Sequence, residues 1–320
     1  MIGLKTVRSM IYGLATADAL GVPVEFMSRA RLRQNPVEGM RSGGVWDQPA
    51  GTWSDDTSMA LATMESIGRL KQIDLEDIMN NFVEWLENDE FTANNHCFDV
   101  GNTTATAIEN YLNGAPVSQC GLTEAGSNGN GSLMRIVPMA LYCYSVDGAE
   151  LSDQSMDAIH SVSALTHAHA RSQMACGIYC LIAAQLLDGK PIAQAVADGL
   201  IRAEKFYARK FPDEMKTYAR LLDPKFGSLD EDRIESSGYV VDSLEAALWS
   251  LLNTTNYREL ALKAVNLGGD TDTVGAIAGG LGGIVYGLEQ IPSEWLDVLR
   301  NKELLDEISA NFFSAIDGRN

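Results

Sequence analysis

Two short clusters of carboxylates and hydroxyls precede apolar segments of the sequence. Residues 51–57 read GTWSDDT and run into SMALA, and residues 268–273 read GGDTDT and run into VGAIAGG. Oxygen donors without His or Cys suit hard cations such as Mg²⁺, Mn²⁺ or Ca²⁺ rather than Zn²⁺. The residue types therefore indicate a site that could hold two cations, with these candidate ligands: Ser54, Asp55, Asp56, Asp270, Asp272 and Thr273.

Helix capping is the alternative interpretation of both clusters. Ser, Thr and Asp side chains accept hydrogen bonds from the free N–H groups of a first helical turn. Capping explains one acidic residue per helix, but neither the adjacent Asp55 and Asp56 nor the DTDT arrangement. Adjacent carboxylates beside an apolar core repel one another unless a cation neutralises them. The residue types alone leave both interpretations open.

Glycines in the segment after the second cluster favour the metal interpretation. They fall within one helical pattern, although each costs up to about 1 kcal/mol relative to Ala in a helix interior. Close helix packing would offset that cost and would place the clusters at the centre of a helical bundle. A small-residue membrane helix is the alternative, but its flanks do not fit and no other span is present. The glycines are Gly275, Gly279, Gly280, Gly282 and Gly283.

Three further features could contact a ligand. Residues 126–132 read GSNGNGS before LMRI, and a glycine-rich loop that leads into a helix presents N–H groups to anions, although such a stretch is more often only a turn. Asp99 fits either an N-cap or a general base, and its type alone does not decide. His167, in the sequence THAH, could contact a phosphate or could simply be accommodated in the core.

Apolar residues at helical spacing run through the whole chain, whereas convincing alternating strands are missing. We expect an all-α fold with one compact domain over residues 1–320. Residues 204–237 differ, because they are rich in charge and contain Pro212, Pro224 and Gly227; they fit a surface excursion or a lid. Helices are predicted over Val7–Leu20, Thr57–Leu70, Leu75–Leu86, Thr103–Leu112, Leu133–Tyr144, Met156–Leu165, Ser172–Leu187, Ile192–Tyr207, Asp242–Leu252, Tyr257–Val265, Thr273–Gly287 and Glu303–Ile316.

The composition limits the classes of partner that the protein could bind. The 320 residues are 46% hydrophobic and 21% charged, with 24 basic and 43 acidic side chains and a net charge of −19. This is globular composition, and the absence of clustered Lys and Arg argues against a nucleic-acid partner. An anionic ligand would need an attractive element such as a bound divalent metal. Five scattered cysteines without a CxxC fit a reducing compartment. No stretch reaches the length of a membrane span, so we expect a cytoplasmic protein with no membrane partner.

In chain order, these motifs resemble the ADP-ribosylglycohydrolase family, which includes the dinitrogenase reductase-activating glycohydrolase and the eukaryotic ADP-ribosylhydrolases. The resemblance covers nearly the whole chain, and the paired SDDT and GGDTDT motifs are its most specific part. Ser54 stands where the family often has Thr, and either hydroxyl can coordinate a metal. The matching segments are 13–26 (GLATADALGVPVEF), 54–57 (SDDT), 99–103 (DVGNT), 129–135 (GNGSLMR), 166–167 (TH), 238–244 (GYVVDSL) and 268–273 (GGDTDT).

The resemblance implies an all-α fold around a dinuclear Mg²⁺ or Mn²⁺ centre, with the six candidate ligands given above. It also implies a catalytic set of Glu25, Asp55, Asp56 and Asp99, in which Glu25 lies beside the scissile bond. Either Glu25 or Asp99 would handle the proton. Tyr239 fits either a contact to a guanidinium or a buried aromatic. The implied substrate-binding residues are Gly101, Asn102, Thr103, Gly129, Asn130, Gly131, Ser132, Met134, His167 and Tyr239.

The expected reaction is hydrolysis of the N-glycosidic bond of mono-ADP-ribosyl-arginine on proteins, with release of ADP-ribose. Serine-linked ADP-ribose is an alternative substrate. A phosphatase is a rival, because Asp270–Val274 fits the D-x-D-x-[TV] pattern of haloacid-dehalogenase-type enzymes; however, glycines precede Asp270 where a buried strand should run. A protein that binds ADP-ribose without cutting it is a second rival, disfavoured because Glu25 and all the candidate ligands are present.

Overall fold

The computed structural model describes residues 2–318, and this part of the chain forms α-helices and short 3₁₀ turns without a β-sheet. Its only pairings of strand type are three isolated bridges, Gly43 with Gln48, Leu122 with His167 and Gly129 with Tyr239. The helices are α1 (Leu4–Gly21), α2 (Arg29–Gln34), α3 (Asp55–Leu70), α4 (Leu75–Asn88), α5 (Asn102–Leu112), α6 (Val137–Asp147), α7 (Asp153–Ala164), α8 (Ala170–Leu187), α9 (Ile192–Lys210), α10 (Val240–Leu252), α11 (Tyr257–Asn266), α12 (Thr271–Tyr286), α13 (Ser293–Leu296) and α14 (Lys302–Ile316).

The prediction of an all-α fold is confirmed, and each predicted helix is found. The largest difference between a predicted and an observed helix start is in α6, which was predicted from Leu133 and begins at Val137. Pro138 lies in its first turn, a position that proline favours, and the residues before it form a tight turn. The short helices α2 and α13 were not predicted, since they have six and four residues. No helix in the described range is long and apolar enough to cross a membrane.

The core is centred on α1 and α12, whose backbones pass one another at very short range. A Cβ atom built on Gly279 would lie 2.3 Å from the carbonyl oxygen of Gly13, and one built on Gly283 would lie 2.0 Å from that of Ser9. Tyr257 of α11 supports the crossing by donating its hydroxyl to Gly13 O at 2.5 Å. The glycines of α12 thus permit a helix contact that no other residue allows, which confirms the close-packing interpretation.

Residues 204–237 complete α9 and then continue through three 3₁₀ turns, Met215–Tyr218, Phe226–Ser228 and Glu231–Arg233. The side chains of Tyr218, Leu221, Phe226 and Ile234 are buried. Arg220 donates to Glu245 of α10. The segment is therefore anchored to the helices by apolar and ionic contacts. A surface excursion or a lid at this place stays a prediction.

Gly279→Ala is expected to lower the free energy of unfolding by about 1–3 kcal/mol, because overpacking the α1–α12 contact outweighs the helix preference of Ala of about 1 kcal/mol. Urea denaturation measures the change. Gly126→Ala is the control, since a Cβ there meets nothing within 4 Å. Equal stability of the two variants would contradict the contact.

Candidate active site

Three helix ends bring four carboxylates together inside the protein. Asp18 lies in the last turn of α1, Asp55 and Asp56 begin α3, and Asp272 lies in the first turn of α12. Their exposed fractions lie between 0% and 5%. Helix N-termini favour negative charge, but by about 1 kcal/mol each, which is small beside the cost of burying adjacent carboxylates. The arrangement therefore calls for a positive charge.

The donor atoms fit divalent cations. One oxygen each of Asp18, Asp56 and Asp272 lies within 4.8 Å of the others, and Glu25, Asp270 and Asp272 form a second set of this kind. Two of these residues each carry a buried oxygen without any hydrogen-bond partner, Asp56 Oδ1 and Asp272 Oδ2. Because an unpaired buried acceptor is costly, a cation at this place would satisfy groups that the protein leaves unpaired.

Asp18 also belongs to the carboxylate cluster, and the sequence analysis did not predict it. Its Oδ1 accepts from the Ser54 N–H at 2.9 Å, and its Oδ2 accepts from the N–H and the hydroxyl of Thr57 at 3.2 and 2.6 Å. Both oxygens are therefore engaged in fixing the start of α3, so Asp18 positions the cluster rather than offering a free donor. The available signal was an acidic residue within an otherwise apolar helix.

Capping accounts for only part of the two clusters. Ser54 is the N-cap of α3 and accepts from the Asp56 N–H, while Asp270, at the N-cap position of α12, accepts no such bond. The hydroxyls of Ser54 and Thr273 both donate to Asp56 Oδ2, at 2.9 and 3.3 Å. These bonds fix the orientation of the Asp56 carboxylate through Oδ2 and leave its Oδ1 unpaired. The capping alternative thus leaves Asp270 and Asp272 unexplained, which favours the metal interpretation.

The carboxylates of the cluster resist ionisation together. Burial raises the pKa of Asp55, Asp56 and Asp272 well above the ordinary value, and the neighbouring carboxylates raise it further. Burial also raises the pKa of Asp18 to about 7, although the bonds from Thr57 and Ser54 oppose the shift. Without a cation, these carboxyl groups are therefore much harder to ionise than free aspartates.

Glu25 and Asp99 form a pair beside the cluster. Burial, and then the charge of Asp99, raises the pKa of Glu25 to about 9. Burial raises the pKa of Asp99 as well, and the charge of Asp270 raises it further. Helix α5 begins after Gly101, so Asp99 does not cap it. Two neighbouring carboxyl groups with raised pKa values are suited to general acid–base catalysis.

Trp46 fixes Glu25 and was also missed. Its indole N–H donates to Glu25 Oε2 at 2.5 Å. Trp46 packs against Phe98 with ring centroids 5.9 Å apart. Trp46 and Glu25 are 21 residues apart, and Trp46 lies in an irregular loop. No rule of sequence spacing could therefore have predicted this contact.

The glycine pair before Asp270 aligns that residue with Glu25. Gly268 and Gly269 have φ values of 77° and 75°, which favour glycine. Gly269 O accepts from the Phe26 N–H, and the Gly269 N–H donates to Met27 O, both at 2.8 Å. A turn thus stands where a haloacid-dehalogenase-type phosphatase needs a strand, and the described residues contain no sheet. The phosphatase alternative is wrong.

An open cavity lies over the cluster and is lined by most of the predicted site residues. Phe26, Thr104 and Gly238 also line it and were not predicted. The described lining contains no Lys or Arg, so it offers an anion backbone N–H groups and, at the carboxylates, room for a cation. The predicted residues on the lining are Glu25, Asp55, Asp99, Gly101, Asn102, Thr103, Gly129, Asn130, Gly131, Met134, His167, Asp270 and Thr273.

Two walls of this cavity present backbone donors. Helix α5 starts at Gly101 and Asn102 without a side-chain cap, so its first N–H groups are free for an anion. The glycine-rich loop also lines the cavity. It is held by Asn130, whose side-chain NH₂ donates to Asp270 Oδ2 and to Ser243 Oγ at 2.8 Å each. The loop is thereby tied directly to the carboxylate cluster.

His167 completes the cavity wall as a neutral side chain. Burial, and then the charge of Arg135, lowers its pKa to about 3. Its ring lies so close to Gly131 that a Cβ there would be 2.8 Å from Cε1. Met134 lies on the same lining. The imidazole therefore contributes a hydrogen-bonding edge to the cavity and no charge.

Five of the predicted residues lie elsewhere. Ser54, Asp56 and Asp272 are buried and are not among the residues that line the cavity. Ser132 is also buried, and its hydroxyl accepts from Ser163 at 2.9 Å and contacts Cys176. The ring of Tyr239 lies 5.8 Å from the guanidinium of Arg171 in the same chain. Ser132 and Tyr239 thus support neighbouring elements, and their contact with a ligand stays a prediction.

Comparison with known proteins gives a consistent result. The sequence model of the ADP-ribosylglycohydrolase family matches residues 4–320. The ADP-ribosylarginine hydrolase Tri1 of Serratia proteamaculans is 34% identical, over 97% of this chain and 79% of that protein. The ADP-ribosyl-[dinitrogen reductase] glycohydrolase of Rhodospirillum rubrum is 31% identical, over 91% of this chain and 88% of that protein. A solved ADP-ribosylglycohydrolase-related protein complex superposes with a TM-score of 0.79 at 29% identity and covers 98% of both chains.

Asp272→Asn is expected to stabilise the metal-free protein while removing its response to metal. The Asn keeps the oxygen that accepts from Thr273 N–H at 3.0 Å, and it replaces a carboxyl group that burial and its neighbours make costly to ionise. In EDTA, Tm should rise by a few degrees, since about 1 kcal/mol shifts Tm by roughly 2–4 °C in domains of 150–250 residues. The Tm increase produced by Mg²⁺ or Mn²⁺ should disappear. Asp213→Asn, an equal charge change at an exposed position, is the control. An unchanged metal response would contradict the assignment.

The stability of the metal-free protein should fall as pH rises. A raised carboxyl pKa contributes stability that is fully present below the unfolded value, near 4, and is lost as pH rises through the folded value. That folded value is about 7 for Asp18 and about 9 for Glu25. Thermal denaturation in EDTA should therefore give a lower Tm at pH 9 than at pH 5. Saturating Mg²⁺ should reduce the difference, and an identical slope with and without metal would count against the cluster.

Proposed function

Because the chain belongs to the ADP-ribosylglycohydrolase family of glycosyl-bond hydrolases, we propose that it cleaves mono-ADP-ribosyl-arginine on proteins and releases ADP-ribose. The observation that carries this proposal is that the buried carboxylate cluster adjoins a cavity lined by the uncapped first turn of α5 and by the glycine-rich loop. The printed activity of the relative from Serratia proteamaculans, an ADP-ribosylarginine hydrolase, supports the arginine linkage.

Two divalent cations, Mg²⁺ or Mn²⁺, complete the proposed site. The residues that would hold them are Asp56, Asp270 and Asp272, with Asp55 at the cavity edge. The unpaired oxygens Asp56 Oδ1 and Asp272 Oδ2 support this assignment. When bound, such cations supply positive charge that attracts an anionic ligand and polarises its hydroxyls and nearby water.

The cavity walls would bind the diphosphate of the substrate. The first turn of α5, at Asn102 and Thr103, offers N–H groups on one side. Gly129 and Gly131 offer theirs on the other, with His167 beside them. This placement leaves the distal ribose over the carboxylates, which is where the glycosidic bond must lie for Glu25 and Asp99 to act.

The Glu25–Asp99 pair would move the proton. The oxygen of a water molecule would form a bond to the anomeric carbon while the C–N bond to the guanidine breaks. The carboxyl pair would take one proton from the water and give one proton to the leaving nitrogen, so that the pair ends with the protons it began with. Trp46 holds Glu25 Oε2 in place during this step. Positioned acid–base groups of this kind typically contribute 10²–10⁴-fold to rate.

The direct test is release of free ADP-ribose from arginine-linked and serine-linked mono-ADP-ribosyl peptides, with Mg²⁺, with Mn²⁺ and with EDTA. Metal-dependent release from the arginine-linked peptide is expected, and it should be lost in the Asp55→Ala/Asp272→Ala double variant. Release from the serine-linked peptide alone would overturn the arginine linkage. Binding of ADP-ribose without release from either peptide would overturn the hydrolase in favour of a binding protein.

Single variants of the proton-handling pair should differ in effect. Glu25→Gln is expected to lower kcat by about 10²-fold or more, because the amide cannot accept the proton. Asp99→Asn should cost less, because its amide can still hydrogen-bond to Glu25. Glu65→Gln, a half-buried carboxyl further along α3, is the control and should keep full turnover. Full turnover in both test variants would refute the assignment.

A further inference from the structure

Arg135 is a buried cation without an acidic partner. Its exposed fraction is 0%, and no carboxylate of the described residues forms an ion pair with it. One terminal nitrogen donates to Thr166 Oγ1 at 2.9 Å and to Val162 O at 3.2 Å. Its Nε and Nη1 atoms are buried without partners, and the guanidinium lies 4.7 Å from the centre of the Phe82 ring. Because burying an unpaired charge is costly, a role for Arg135 in the protein must offset that cost.

Arg135 reaches the cavity through Thr166 and His167. The Thr166 hydroxyl oxygen accepts from Arg135, and it lies 2.8 Å from Nδ1 of His167. Arg135 has no acceptor atom, so the hydroxyl cannot donate its proton in that direction. No other acceptor of the described residues lies within hydrogen-bond distance of this hydroxyl. The hydroxyl proton therefore points to His167, and Nδ1 is the unprotonated nitrogen that accepts it.

The remaining ring nitrogen of His167 then carries the proton. Burial and the nearby charge of Arg135 both disfavour a second proton on the ring, so the imidazole is neutral with hydrogen on Nε2. Nε2 is at the edge of the ring that faces the glycine-rich loop. A Cβ built on Gly131 would lie 3.3 Å from this nitrogen, and one built on Gly129 would lie 3.6 Å from it. Both glycines line the cavity.

We propose that Arg135 is a positioning residue that acts through Thr166 to lock His167 in the Nε2-protonated neutral tautomer, so that the cavity wall offers an N–H donor to an oxygen of the ligand. The tautomer follows from the protein's own hydrogen bonds. The identity of the acceptor, a phosphate oxygen of ADP-ribose, rests on the proposed function. A bare Nε2 in the same place would repel that oxygen.

The tautomer can be read directly by long-range ¹H–¹⁵N correlation NMR on the full ¹⁵N-labelled chain at neutral pH. The sequence contains four histidines, and His167→Gln identifies the ring of interest by the loss of its signals. The expected pattern for His167 is a proton-bearing Nε2 and a bare Nδ1. A proton-bearing Nδ1, or rapid averaging of the two nitrogens, would overturn the proposal whatever the enzyme's activity.

Thr166→Val tests the role of the hydroxyl, because it removes that group at nearly constant shape. The expected result is loss of the single-tautomer pattern and weaker binding of ADP-ribose by roughly tenfold or more in calorimetry with Mg²⁺, the scale of a hydrogen bond to a charged group. Thr254→Val is the matched control, since this buried hydroxyl donates locally, to Ser250 O at the end of α10, and the variant should bind as the wild type does.

The outcomes separate this inference from the proposed function. A wild-type protein with the expected tautomer that fails to bind ADP-ribose would contradict the proposed function and leave the tautomer lock standing. A Thr166→Val protein with a changed tautomer and unchanged affinity would overturn the donor role of His167. If Thr166→Val does not fold, the wild-type spectrum alone decides the tautomer.

Discussion

Mutual repulsion of the buried carboxylates at the meeting point of α1, α3 and α12 is the constraint on which the structure depends. Asp56 and Asp272 each have an unpaired oxygen at this point. Both oxygens of Asp18 accept hydrogen bonds that hold the start of α3 there. The helices can approach closely enough only because Gly279 and Gly283 of α12 lie against the backbone of α1. Packing and electrostatics thus oppose one another, and a bound cation would reconcile them.

The same constraint explains the chemistry available in the cavity. The described lining has acidic side chains and no Lys or Arg. Positive charge in the cavity can therefore come only from a bound cation and from the partial charges of backbone N–H groups. The histidine on the wall is kept neutral by burial and by Arg135. A net charge of −19 is therefore compatible with an anionic ligand, because attraction is local.

Much of this arrangement was predictable from the sequence. The helical periodicity predicted the fold class. The two carboxylate motifs placed helix starts at Thr57 and Thr273, two residues after the observed starts at Asp55 and Thr271, because first-turn chemistry is local. Contacts between distant segments were not predictable. Trp46 meets Glu25 through an irregular loop, and Arg135 meets Thr166 across 31 residues. Ser132 looked like part of the anion loop, yet its hydroxyl is buried against Ser163, since side-chain direction in a turn depends on tertiary packing.

Two divalent cations are expected among these carboxylates. Anomalous diffraction at the manganese edge, from crystals of the full chain soaked with Mn²⁺, locates bound cations. Two peaks bounded by Asp56, Asp270 and Asp272 are expected in the wild type, and they should be lost in Asp272→Asn. Crystals that bind Mn²⁺ elsewhere but show no peak at these residues would refute the metal site.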